Sequence, residues 1–144
     1  MQVLQILKSK KDDGVVTVVP EDSIADVARL LSARKIGAVV VSRDGKHIDG
    51  IVSERDLVRE IGRHGGTCLS HPVSTIMSTK ITSCCRTTTT TEVLEMMSAG
   101  GFRHMPVVAD GEMVGLISIR DVAAARVDEL HMEKEALTGM IMGN

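Results

Sequence analysis

The sequence predicts a mixed α/β (α+β) fold built from two β-α-β-β-α repeats. Three observations carry this reading. Gly50-Ile51-Val52-Ser53-Glu54-Arg55-Asp56 returns as Gly115-Leu116-Ile117-Ser118-Ile119-Arg120-Asp121. Upstream of these motifs, Val15 to Val41 aligns with Ile81 to Val108, so that Val18 meets Cys84, Val27 meets Val93, Leu31 meets Met97 and Val39 meets Met105. Finally, each copy alone spans only about 50 to 60 residues, a size at which a single core is marginal, so two copies must share the work of burial.

Each copy opens with a short apolar strand, Val15–Val19 and Ile81–Cys85. A helix start follows, Ser23-x-x-Asp26 in the first copy and Thr89-x-x-Glu92 in the second. Such pairs satisfy the free N–H groups of a first helical turn. The helices carry apolar residues at three- and four-residue spacing: Ile24, Val27, Ala28 and Leu31, then Val93, Met96 and Met97. Strands come next at Ala38–Val41 and Met105–Val108. Asp44-Gly45 and Asp110-Gly111 then turn the chain into Ile48–Val52 and Met113–Ile117. Asp-Gly between apolar runs predicts a hairpin. The closing helices run Glu54–Ile61 and Ile119–Val127.

The organisation expected is a first repeat with an N-terminal segment (1–65), a linker with the second repeat (66–128), and a C-terminal helix or tail (129–144). Gly62, Gly65, Gly66 and Pro72 mark the linker. In the tail, Leu130, Lys134 and Leu137 fall close to one helical face, a stripe that reads as packing or a dimer seam.

Composition excludes several function classes. The net charge of −2 leaves no footprint of a nucleic-acid binder, and Phe102 is the sole aromatic for stacking a base. Hydrophobic residues make up 43% of the 144, yet no apolar run approaches the roughly 18 residues of a membrane span. The opening MQVLQILKSKKDDG puts lysines after its apolar patch, the reverse of a secretory signal. Three cysteines do not make a disulfide framework, so a reduced, cytoplasmic protein is expected.

The two motifs carry the chemistry. Ser53 and Ser118 end strands and begin helices, where free N–H groups and a partial positive charge suit a phosphate. Arg55 and Arg120 offer charge-assisted bonds. Asp56 and Asp121, one turn on, can accept both hydroxyls of a ribose. Val18, Gly37, Ala38 and Val39 can line one adenine slot, and Ser83, His104, Met105 and Pro106 the other; Thr17 matches Ser83. The same Ser-x-x-Asp is also a capping box, and the two roles are compatible. Arg120 either grips phosphate or blocks its site. His104 is a ligand contact, a pH-sensitive group or a packed side chain. Glu54 either repels a phosphate or faces solvent.

With these residues in place the chain resembles the CBS (cystathionine beta-synthase) family, whose domains close on Gly-apolar-x-Ser/Thr-x-x-Asp. Arg103 to Val108 is similar to the family's central strand, which adds Arg103 to the candidate contacts. The resemblance covers about Leu4 to Val127. It implies a tandem pair with pseudo-twofold symmetry and two clefts between the copies, a homodimer, and a regulatory role. The implied ligands are adenosine-containing: AMP, ADP, ATP, NAD or S-adenosylmethionine.

Other constellations are weaker. His64, Cys68 and His71 in the linker, with Cys84-Cys85, are legitimate zinc or redox side chains, but their spacing matches no marked finger. A metal- or redox-responsive interaction protein and a structural dimer with empty clefts are therefore the alternatives. No P-loop, dinucleotide glycine fingerprint or linked nucleophile–base–acid set is present, and no required cofactor or enzymatic activity is expected.

Overall fold

A computed structural model of the chain describes residues 1–10 and 14–142. Lys11 to Asp13, in the lysine-bearing stretch after the first apolar patch, and Gly143-Asn144 lie outside the described residues. The elements run α1 (Val3–Ser9), β1 (Thr17–Val18), α2 (Ile24–Arg34), β2 (Ala38–Val41), β3 (Gly50–Ser53), α3 (Glu54–His64), α4 (Thr90–Gly100), β4 (His104–Ala109), β5 (Glu112–Ser118) and α5 (Ile119–Ile141). Two short 3₁₀ turns, Gly65–Ser70 and Val73–Thr75, lie between α3 and α4. The mixed α/β class is present, and the helix-strand-strand-helix order recurs in both copies. The chain divides into two compact units: Gly14–Thr82 with Asp110–Val114, and Met1–Asp13 with Ser83–Ala109 and Gly115–Asn144.

The first unit is built on a three-stranded sheet of order β1-β2-β3. β1 runs parallel to β2, with Thr17 beside Val40 and Val18 beside Val41. β2 is antiparallel to β3, with Ala38 opposite Ser53 and Val39 opposite Val52. Every residue of β2 is buried, which is why it reads as an unbroken apolar run. Helix α2 begins where Ser23 Oγ accepts the Asp26 N–H at 3.1 Å and ends at Lys35, held in the left-handed region at φ 54°. It buries Ile24, Val27 and Leu31 against Val18, Val39, Val41, Val52 and Leu57, with Cys68 and Val73 completing the core. Each such aliphatic side chain contributes about 1.5–3 kcal/mol of burial.

In the second unit, Thr89 caps α4 by accepting the Glu92 N–H at 3.2 Å, and Gly101 ends that helix at φ 70°. β4 and β5 pair as a two-stranded hairpin whose turn, Asp110 (φ 52°) and Gly111 (φ 77°), is grouped with the first unit and supplies the positive-φ pair of a two-residue turn. Val93, Met97, Met105, Val107, Ile117 and Val122 are buried here, together with Val3 and Ile6 of α1.

Four expectations change. The opening strand of the first copy shortens from Val15–Val19 to Thr17–Val18, the part that pairs with β2. The strand expected at Ile81–Cys85 reduces to one parallel bridge between Cys84 and Val107. Its cause is Pro106. Cys84 N–H donates to Pro106 O at 3.0 Å and Val108 N–H to Cys84 O at 2.8 Å, but the next rung needs an N–H that proline lacks. Val40, the matched residue in the first copy, makes that rung to Val16 O at 3.4 Å. Third, Asp44-Gly45 does not form a tight hairpin. Asp44 Oδ1 accepts the N–H groups of Lys46 and His47, both at 2.8 Å, and organises a longer loop between β2 and β3. Fourth, the two C-terminal helical stretches form one helix. Arg126 and Glu129 pair across the expected break at 2.7 Å, and Thr90 Oγ1 donates to Glu129 Oε1 at 2.6 Å.

Candidate functional site

In the first unit, β3 runs into α3 at Ser53. Ser53 N–H donates to Asp56 Oδ2 at 2.8 Å, and its hydroxyl donates to the same oxygen at 3.1 Å, within a reciprocal capping box. Glu54 N–H donates to Gly37 O at 2.9 Å. That bond, with the Ala38–Ser53 pair of the ladder, sets Gly37 and Ala38 beside the motif. Thr17 lies half-buried on β1. Val18 and Val39 belong to the hydrophobic core, so backbone is what they offer a ligand. Arg55 is exposed on the first turn of α3.

The second unit repeats the arrangement. Ser118 N–H donates to Asp121 Oδ2 at 2.9 Å, and Asp121 N–H donates to Ser118 Oγ at 3.1 Å. Ile119 N–H donates to Arg103 O at 2.8 Å, the counterpart of the Glu54–Gly37 bond. Arg103 and His104 are thereby brought to the motif. Met105 and Pro106 are buried, while Ser83 and Arg103 are exposed. Arg120 is exposed too, and Ile119 stands where the first copy has Glu54.

Each motif glycine is covered by a side chain of its own unit. A Cβ at Gly50 would lie 2.6 Å from Met77 Sδ, and one at Gly115 would lie 2.6 Å from Leu7 Cδ2. Glycine is what lets these side chains lie on the strand. Leu7 belongs to α1, a helix too short for periodicity to reveal. A different signal was present. Val3, Ile6, Leu7 and Lys10 repeat the spacing of Val73, Ile76, Met77 and Lys80. The N-terminal segment thus echoes the linker.

The aspartates differ in their cationic partners. Asp56 Oδ1 pairs with Arg59, one turn along α3, at 2.6 Å. Asp121 Oδ2 pairs with Lys10 at 2.9 Å. Burial pushes the Asp121 carboxyl up, but the Ser118 N–H and the Lys10 ammonium outweigh it and hold its pKa below the ordinary value.

The zinc candidates do not assemble. Among the described residues, no group of three or more His, Cys, Asp or Glu is placed to hold a metal ion. Cys68 and Cys84 are buried; burial, with Cys85 beside it, pushes the Cys84 thiol up to about 11. Cys85 is exposed. The Thr87 and Thr88 hydroxyls, each 3.3 Å from its Sγ, pull the thiol down to about 7. His64 lies 3.7 Å from Glu60, and His71 is exposed. No helix among the described residues is long and apolar enough to cross a membrane.

Comparison with known proteins matches the CBS domain model to residues 11–63 and again to 73–128. A CBS-domain protein from Agrobacterium tumefaciens, known from its crystal structure, is 42% identical; the match covers 88% of this chain and 99% of that one at a TM-score of 0.83. A mitochondrial CBS domain-containing protein of Arabidopsis thaliana is 30% identical over 98% of this chain and 72% of its own length. A CBS domain protein from Pyrobaculum aerophilum, solved complexed with AMP, is 29% identical, covering 84% of this chain and 89% of that one at a TM-score of 0.74.

Proposed function

The chain belongs to the CBS domain family, and from that premise we propose that it is a regulatory pair whose motifs bind adenosine-containing ligands. One observation carries the reading. Twice, a serine–aspartate box stands at a helix start directly beside backbone from the preceding strand. In this reading the helix N-terminus, with Arg55 or Arg120, holds phosphate. Asp56 or Asp121 accepts the ribose hydroxyls. Backbone of Gly37–Val39 or His104–Pro106, with Thr17 or Ser83 nearby, meets adenine. The AMP-bound relative supports this class of ligand. AMP, ADP, ATP, NAD and S-adenosylmethionine remain the ligands to test.

The output is a change in packing or in dimer geometry that a partner protein reads, rather than catalysis. A ligand drives such a change only through different affinity for two states. Exposed Val58 and Ile61 on α3, and Val127, Leu130 and Leu137 on α5, supply apolar surface for a homodimer. Calorimetry with the five ligands tests the proposal. Binding below millimolar by at least one is expected; none binding would refute it.

A further inference from the structure

Lys10 follows α1, and its ammonium has two acceptors on the second motif. It donates to Leu116 O at 2.8 Å and to Asp121 Oδ2 at 2.9 Å. About a third of the Lys10 side chain is exposed, against a quarter of Asp121's, so the pair is neither free in solvent nor sealed. In the first copy the matched oxygens are served differently. Ile51 O accepts the Ser78 N–H at 2.9 Å, a backbone bond, and Asp56 takes Arg59 from its own helix. Lys80, which stands in the linker where Lys10 stands in the N-terminal segment, makes no ion pair with Asp56 among the described residues. Among the described residues, then, a side chain from a distant segment pairs with the aspartate at the second copy and not at the first.

An ammonium offering two N–H donors to a carboxylate and a neighbouring carbonyl imitates the pattern a vicinal diol presents. We propose that Lys10 is a built-in competitor for the sugar hydroxyls of a ligand at the second copy, so that binding at Asp121 releases the C-terminal end of α1. The inference rests on the adenosine-ligand reading above. It makes the two copies unequal. The first is filled against a helix-local ion pair, whereas the second is filled only by unlatching the N-terminal segment. Displacement of a charge-assisted bond is the cost, and the freed segment is a signal that a partner could read.

The test isolates the second copy in the Asp56→Ala protein and titrates it with AMP by calorimetry, alone and with Lys10→Met or Lys10→Gln added. Both additions keep much of the aliphatic stem and remove the charge. AMP is expected to bind about tenfold tighter once Lys10 is neutralised, the effect of one charge-assisted bond. In the Asp56→Ala protein, AMP is also expected to speed amide exchange at Lys10, whose N–H donates to Ile6 O at 3.2 Å. Unchanged or weaker AMP binding in both Lys10 variants overturns the competitor role while leaving the ligand reading intact. If wild type binds AMP but none of the Asp56→Ala proteins does, the second copy is not an AMP site and the latch falls alone. Absence of binding in every protein, wild type included, defeats the functional reading and the latch with it.

Discussion

The two motifs share one capping box and differ in the cation that pairs with its aspartate. In the first copy, Asp56 is balanced by Arg59 from the same helix, at 2.6 Å. In the second, Asp121 is balanced by Lys10, more than a hundred positions away in the chain. The first copy keeps a short parallel strand, Thr17–Val18, beside β2; the second keeps one bridge at Cys84, because Pro106 replaces Val40. Duplication therefore preserved the caps, the backbone bond beside each motif and the apolar side chain over each glycine, while the cations on the aspartates diverged. Repeat symmetry predicts the caps well and predicts the charge that faces them poorly.

The largest expected effect tests whether the units depend equally on their cores. Ile117→Ala in the second unit should cost about 2–5 kcal/mol in urea unfolding, and Val52→Ala in the first somewhat less for its smaller side chain; both residues are fully buried. A loss under 1 kcal/mol at Ile117 would mean that the second core is loosely packed.

The aspartates sharpen the comparison directly. Asp56→Ala should cost about 1 kcal/mol, the worth of a cap, and Asp121→Ala more, since it also strands Lys10 and the Leu116 carbonyl contact. Asp121 has its folded pKa held below the ordinary aspartate value, so its contribution is present above that ordinary value and is lost as pH falls through the lower, folded pKa. Acid titration of the unfolding free energy should show this loss in wild type and a shallower one in Asp121→Asn. Equal acid sensitivity would place the Lys10 pair outside the stability balance.

Pro106→Val should erase the strand difference. Restoring the N–H allows the rung that proline forbids beside the Cys84 bridge, and a new slowly exchanging amide at position 106 is the readout. Rapid exchange there would show that something other than proline suppresses the strand. Smallest in effect is the thiol contrast. Iodoacetamide should modify Cys85 with a rate that rises through about pH 7, ahead of buried Cys68 and Cys84. Mass mapping of the modified sites checks it, and preferential labelling of Cys84 would contradict the placement.

Much of this was legible in sequence, for identifiable reasons. Ser23 and Thr89 act through bonds three residues long, so their roles follow from spacing. β2 is apolar throughout because it is buried throughout. The Lys10–Asp121 pair was not legible, since nothing local links a lysine after α1 to a carboxylate in α5. Pro106 was visible, but its effect depends on which rung of the ladder it faces. The fused α5 depended on Glu129 finding Thr90, a partner far away in the chain. Even α1 left a trace, in the Val-x-x-Ile-Leu spacing it shares with Val73 to Met77.

Whether these paired motifs hold adenosine-containing ligands is decided by amide chemical-shift mapping during an AMP titration. The largest shifts are expected to cluster at Gly37 to Val39 and Ser53 to Asp56, and, as Lys10 is displaced, at Arg103 to Met105 and Ser118 to Asp121. Shifts confined to other surfaces, or none at millimolar AMP, would contradict the ligand reading.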